Sequence, residues 1–194
     1  GVMAVLIALA LMTGLQGELR DKILGSTAHV YVYKTGGLAD YQSDVRRLRA
    51  VPHVEGAAPA IMGKALISSE KDRAFITLKG IDPALEPNVT DLGKTMQKGS
   101  VAAVVSSDDE LPGILIGKQL AQTLGVQTGD VVNLLTDQGT LSPGGMLPRN
   151  RKARVAGIFS MGLLEFDTSW GFVSLEFAER LVGEDQAQLI QLRV

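Results

Sequence analysis

The chain has 194 residues, 45% hydrophobic and 21% charged, with a formal net charge of −2, enough for one large domain or two small ones around a core. That balance, with no long run of one sign, argues against nucleic-acid binding. The absence of cysteine excludes disulfides and thiolate metal sites. His29 and His53 alone supply imidazole, and each reads as a packed or solvated side chain.

The opening run, GVMAVLIALALMTGL, carries no charge and nothing more polar than Thr13. A bilayer crossing takes about 20 apolar residues, and the run lacks the initiator Met and basic n-region of a signal peptide. It reads as the outer half of a transmembrane helix, the alternative being a buried core helix. Leu15, Leu19, Ile23 and Leu24 keep helical spacing through Gln16–Leu24, with charged residues on the other faces, and Gly25 stops the helix. Under the first reading, the remainder of the chain is an extramembrane domain.

Ala28–Lys34 alternates as a strand, and Thr35-Gly36-Gly37 reads as a turn. Asp40–Ala50 predicts a short amphipathic helix with Tyr41, Val45 and Leu48 inward, ended by Pro52. Val54–Ser68 and Arg73–Ile81 are strand-like runs joined by the polar turn 69–72, a hairpin. Residues 82–100, rich in Pro, Gly and polar groups, are expected to wrap a surface. A second module starts near Val101. It has a strand at Gly113–Ile116, a helix at Gly117–Leu124 closed by Gly125, a turn at Gln127–Asp130 and strands at Val131–Thr136 and Arg151–Phe159. A strand at Trp170–Ser174, a helix at Leu175–Leu181 and a strand at Ala187–Val194 complete it. Strands outnumber the short helices, so the class is α+β, with two subdomains and a chain that crosses between them.

No catalytic constellation emerges. Gly113–Lys118 lacks the glycine spacing of a phosphate loop and the Ser/Thr after Lys. Asp108-Asp109-Glu110 offers oxygen ligands to a divalent cation but reads as a solvated acidic loop. Ser68, Ser106 and Ser160 have no base partner, and no Gly-x-Ser-x-Gly elbow is present. Asn88-Val89-Thr90 fits a glycosylation pattern of little weight. A soluble enzyme therefore rests only on unplaced acids and serines. No cofactor, metal or catalytic residue is expected.

The unusual segment is 137–150, DQGTLSPGGMLPRN. Pro143 and Pro148 restrict the free loop, which lowers the entropy lost on binding. Leu141, Met146 and Leu147 are apolar residues in a solvent-facing loop, a pattern that partner binding explains; Arg149, Asn150 and Arg151 would form a polar rim. The alternative is a long hairpin connection folded back on its own domain.

Three stretches in order carry a family resemblance. They are Met12–Arg20 with Ile23-Leu24-Gly25 and His29-Val30; Gly117–Asp130; and Gly145-Met146-Leu147-Pro148-Arg149 through Arg154–Phe159 to Glu165-Phe166-Asp167. Together they resemble the LolC/LolE-type permeases of the lipoprotein-releasing ABC transporters, within the MacB/FtsX superfamily. The resemblance implies an α+β periplasmic domain of MacB type, with Porter and Sabre subdomains preceded by the end of a transmembrane helix. Residues 1–25 would be that helix end and a stalk. Residues 26–100 would be the Porter-like part and 101–154 the Sabre-like part. Residues 155–194 would return to the Porter-like part and a second transmembrane helix.

The same resemblance implies a Hook at 136–148 that captures a LolA-like periplasmic chaperone through Leu141, Ser142, Pro143, Gly144, Gly145, Met146, Leu147 and Pro148. A neighbouring Pad would comprise Asn133, Asn150 and Arg151. Only Arg151 keeps the family's charge, since Asn133 stands where members carry Arg and Asn150 where they carry Gln. The implied partners are that chaperone, a LolD-like cytoplasmic ATPase on a separate chain, a second permease subunit (paralogue or self), lipoprotein cargo and the bacterial inner membrane. The implied function is lipoprotein release by mechanotransmission, with no covalent chemistry on this chain. The alternative is a MacB-like efflux or FtsX-like signalling permease.

Overall fold

A computed structural model describes residues 2–194 except Ala39, residues 106–110, Pro143, Gly144 and residues 184–186; for residues 19, 21, 22, 24, 34–37, 137–142 and 145–148 it describes the backbone alone. Helix α1 spans Val2–Ser26. Its described apolar side chains from Val2 to Leu15 are exposed, Val2 and Met3 at 77% and Leu11 at 70%, so the alternative of a buried core helix does not hold for that run. Among the described residues no helix is long and apolar enough to cross a membrane.

Strand β1, Val30–Leu38, runs on through Thr35-Gly36-Gly37, where a turn is expected from the sequence. Its register against the last strand jumps between Tyr33 and Leu38, so the glycines sit in an irregularity of the strand and do not reverse the chain. Asp40 caps helix α2, Tyr41–Arg49, by accepting from the Ser43 N–H at 3.1 Å. Val45 is buried, and Tyr41 and Leu48 pack beside it, as the helical spacing predicts.

Strands β2, Gly56–Ser68, and β3, Arg73–Ile81, form the expected hairpin. Ser69 organises its turn: Oγ accepts from the N–H groups of Lys71 (3.1 Å) and Asp72 (3.2 Å) and donates to the Leu124 carbonyl at 2.7 Å. Residues 82–100 hold a 3₁₀ turn at Glu86–Asn88, helix α3 at Leu92–Thr95 and strand β4 at Met96–Lys98. Asn88 lies so close to β2 that a Cβ on Gly56 would sit 2.1 Å from its carbonyl oxygen.

Strand β5 (Gly113–Gly117), helix α4 (Lys118–Leu124), strands β6 (Val131–Ser142) and β7 (Gly145–Phe159) and helix α5 (Leu164–Ser169) come next along the chain; strand β8 (Trp170–Ser174), helix α6 (Leu175–Val182) and strand β9 (Ala187–Arg193) complete it. Gly125, at φ 62°, closes α4 in the left-handed conformation glycine takes without penalty. Helix α5 is absent from the sequence expectations. It carries buried Asp167, whose carboxylate accepts from the N–H groups of Met161 (2.8 Å) and Gly162 (3.3 Å) and from the Ser160 hydroxyl (3.1 Å).

The strand order is β1-β9-β2-β3-β8-β5-β7-β4, and β6 pairs with both β2 and β7. That second pairing closes a ring, β2-β3-β8-β5-β7-β6. Its inward residues, among them Ile67, Leu134, Ile114 and Val155, pack with Leu120 and Leu124 of α4 and Ala178 and Leu181 of α6. A second cluster around Phe159 and Phe172 covers the opposite face of β3, β5, β7 and β8. Strand β2 serves two structures. Gly56–Ala60 pairs with β9, whereas Ala65–Ser68 pairs with β6 on the same side. The ring therefore draws strands from both 26–100 and 101–154.

Candidate partner-docking ribbon

Strands β6 and β7 continue past the ring. The β2–β6 pairing ends at Thr136, and the β5–β7 pairing ends at Arg154. Beyond these points β6 and β7 pair with each other through Gly139–Pro148, Thr140–Leu147, Leu141–Met146 and Ser142–Gly145. The backbone of 137–142 and 145–150 is thus paired as a two-stranded ribbon. A register shift between Thr136 and Gly139 marks where it leaves the ring. Leu141, Ser142, Gly145, Met146, Leu147 and Pro148 lie on this backbone; Pro143 and Gly144 lie outside the described residues.

The ribbon is anchored at its base. Thr136, 2% exposed, faces Arg149 across the two strands. The Thr136 hydroxyl donates to the Leu181 carbonyl at 3.0 Å, and Arg149 Nη1 donates to the Arg180 carbonyl at 2.8 Å. Arg149 is therefore engaged by α6 and does not act as a free rim residue.

Strand alternation sorts the expected Pad residues. Asn133 pairs with Lys152, and Asn150 with Leu135, on the outward face; Arg151 pairs with fully buried Leu134 and shares the inward face. Asn133 and Asn150 come together, and Lys152 joins them. Arg151 and Lys152 both line an open cavity of about 670 Å³ that includes Tyr41, Asp82, Glu179 and Arg180. The strand period of two places Lys152 directly opposite Asn133 and Arg151 opposite Leu134.

Two polar clusters stabilise the other end of β2. Glu86, fully buried, accepts from Lys79 Nζ (2.9 Å), the Thr90 hydroxyl (2.9 Å) and Gln191 Nε2 (2.7 Å). Burial, and secondarily the Glu86 carboxylate, pushes the Tyr31 phenol above its usual range. Near the chain ends, the Asp91 N–H donates to the Gly25 carbonyl at 2.8 Å, and its Oδ1 accepts from Lys94 (3.0 Å) and Arg193 (3.2 Å). His29 Nδ1 lies 2.8 Å from the Val194 carbonyl oxygen, so His29 packs at this junction.

The remaining sequence candidates have structural roles or fall elsewhere. In Asn88-Val89-Thr90, Val89 is buried and Thr90, 2% exposed, is bonded to Glu86, whereas Asn88 is exposed. Ser160 supports Asp167. Ser106 and Asp108-Asp109-Glu110 lie outside the described residues. Among the described residues no group of three His, Cys, Asp or Glu side chains is placed to hold a metal.

The ring and its ribbon have relatives among known proteins. The chain is 34% identical over 198 residues to the lipoprotein-releasing system transmembrane protein LolC of Xylella fastidiosa (strain Temecula1), covering all of this chain and 46% of that protein. It is 22% identical over 201 residues to the corresponding LolE protein of Haemophilus influenzae, covering all of this chain and 47% of that one. The chain therefore spans about half the length of these curated relatives. Its fold is shared with the extracellular domain of the noncanonic ABC-type transporter YknZ from Gram-positive bacteria, at a TM-score of 0.53, 17% identity and coverage of 84% of this chain and 81% of that one. The MacB-like periplasmic core domain profile matches residues 1–194, and the chain belongs to that family.

Proposed function

We propose that this chain is the periplasmic domain of a LolC/LolE-type ABC permease of the bacterial inner membrane. It releases lipoproteins and passes them to a LolA-like chaperone held on the β6–β7 ribbon. The observation that carries this reading is the ribbon itself, paired beyond the ring from Gly139 to Pro148, in a chain similar along its full length to a LolC protein. A two-stranded projection offers a partner both its faces and its tip, at low ordering entropy where proline restricts the free chain.

In this reading the chain performs no covalent chemistry. A LolD-like ATPase, on a separate chain, drives movement through α1 and the segment after β9, and a second permease subunit completes the transporter. Residues 1–25 are the periplasmic end of the first membrane helix and its stalk. The Porter-like and Sabre-like parts share β2, so a displacement at the chain ends reaches the ribbon through one continuous strand, as a hinge or shear movement.

The test uses the full-length permease with its ATPase in lipid nanodiscs and the purified LolA-like chaperone of the same organism. Binding that survives in the parent and is lost when 139–146 is replaced by a short Asn-Gly turn supports the proposal. No binding by the parent, or capture of a periplasmic adaptor protein in place of the chaperone, overturns it in favour of a MacB-like role.

A further inference from the structure

Helix α1 ends at Ser26 and β1 begins at Val30, so residues 27–29 alone join the helix to the sheet along the chain. A link that short is where a hinge between two rigid elements sits. Asp91 bridges it. The Asp91 N–H donates to the Gly25 carbonyl at 2.8 Å, which holds the last turn of α1. Its carboxylate accepts from Arg193 Nη1 at 3.2 Å, which holds the end of β9. A Cβ on Gly25 would stand 2.9 Å from Asp91 Oδ2, so the glycine lets the carboxylate lie directly against the helix. Arg193 marks the point where β9 meets the start of β2. It pairs with Gly56, its carbonyl accepts from the Glu55 N–H at 2.8 Å, and its Nε lies 3.9 Å from Glu55 Oε2. Ala28, in the middle of the link, is buried in one cluster with Ala58 of β2 and with Val89, two residues before Asp91.

We propose that Asp91 is a positioning residue for lipoprotein release: through Gly25 and Arg193 it clamps the hinge at 27–29, so that a displacement of α1 passes into β9 and β2 and is not lost as bending of the link. The inference rests on the proposed function above and names the side chain on which its movement depends. From the clamp the path is continuous, since β2 runs on to Ala65–Ser68, which pair with β6. The two cations that share Asp91 Oδ1 have different reach. Arg193 joins Asp91 to another element, and the two side chains are 28% and 27% exposed. Lys94 belongs to α3, the helix that Asp91 itself begins, and its side chain is 78% exposed. A pair between two elements resists their relative movement, whereas a pair within one helical turn does not. Lys94 is nevertheless the largest cause of the lowered Asp91 carboxyl, ahead of Arg193. Electrostatic stability at this site therefore follows Lys94 first, and the clamp follows Arg193.

The experiment uses the full-length permease with its ATPase and second subunit in proteoliposomes that carry a lipoprotein, with the purified cognate chaperone in solution. It reads lipoprotein released per ATP hydrolysed. Asp91→Ala and Arg193→Gln are each expected to lower that ratio by about fivefold, with ATP turnover retained as the sign of an assembled transporter. Lys94→Ala is expected to keep the parental ratio, although Lys94 does more to hold the Asp91 charge. Spin labels on Gln16→Cys and Glu70→Cys, both exposed positions, read the hinge by itself. The distance distribution is expected to be narrow in the parent and in Lys94→Ala, and broadened in Asp91→Ala and Arg193→Gln. An equal loss of the ratio in Lys94→Ala assigns Asp91 a merely structural role and overturns the clamp. Unbroadened distances in both Asp91→Ala and Arg193→Gln overturn it as well. A parent that hydrolyses ATP but releases no lipoprotein overturns the proposed function, and the distances then decide the clamp alone.

Discussion

Thr136 and Arg149 face each other across β6 and β7, and both end on the same helix terminus, Thr136 on the Leu181 carbonyl and Arg149 on the Arg180 carbonyl. The last carbonyls of a helix lack intrahelical donors and carry partial negative charge, which favours a cation there. The ribbon's base is thus fixed to α6 just where it leaves the ring. Arg149→Ala is expected to lower stability by about 1 kcal/mol and to speed amide exchange through 136–149, and Arg149→Lys to retain part of the effect. Exchange read by mass spectrometry checks this. Unchanged protection at the ribbon base in Arg149→Ala would show that the strands alone hold it.

Glu86 is the centre of a buried network that joins β3, the 3₁₀ turn and β9. Replacing it with Leu strands the Lys79 ammonium, 4% exposed, without its counter-ion. Removing one member of a buried pair costs about 3–5 kcal/mol, whereas replacing both with apolar residues is often close to neutral. Glu86→Leu is therefore expected to lower the thermal midpoint strongly, and the double variant with Lys79→Met to recover only part of the loss, since the Thr90 hydroxyl and the Gln191 amide still lack their acceptor. Lys79 also lies 5.6 Å from the centre of the Phe172 ring, a contact that remains apolar in the double variant. Denaturant unfolding of the four proteins gives the coupling directly, and additive losses would contradict it.

Asp91 ties α1 to β9, and its carboxyl sits below the ordinary aspartate range. The Lys94 hydrogen bond is the largest cause; partial burial opposes it, and the Arg193 hydrogen bond adds to the lowering. A carboxyl lowered in the folded state contributes stability that is fully present above its unfolded pKa, about 4, and is lost as pH falls through the folded value. Lys94 is largely exposed, so screening holds the contribution to about 1 kcal/mol or less. Asp91→Asn is expected to destabilise the junction near neutral pH and to converge with the parent below about pH 3. Unfolding midpoints measured across that range check the sign; a gap that widens in acid would be inconsistent with it.

The hairpin β2–β3 is legible because two apolar runs flank Ser69-Glu70-Lys71-Asp72, and α2 because Val45 and its neighbours keep a helical period above an Asp cap. The extension of β6 and β7 through Gly139, Gly145 and Pro148 is not legible, since these residues depress strand propensity. Closure of the ring depends on Ser68 meeting Asn133, a non-local pairing that no local pattern encodes. Arg151 is expected in the Pad from the family resemblance, whereas the pleat puts Lys152 opposite Asn133.

That placement separates the two cations by experiment. Lys152 pairs with Asn133 and Arg151 with buried Leu134, so alternation points them to opposite faces, although both border the cavity beside α6. If a chaperone with an acidic rim docks across the ribbon and the outward face, charge reversal at Lys152 opposes that rim from the row it shares with Asn133, whereas Arg151 stands on the inward alternation with Leu134. Lys152→Glu is expected to weaken binding by about tenfold and Arg151→Glu by less than about twofold. Affinities of the full-length variants for the purified chaperone, compared at low and high salt, decide the matter. A larger loss at Arg151 would place the contact on the cavity side and make α6, with Glu179 and Arg180, part of the docking surface.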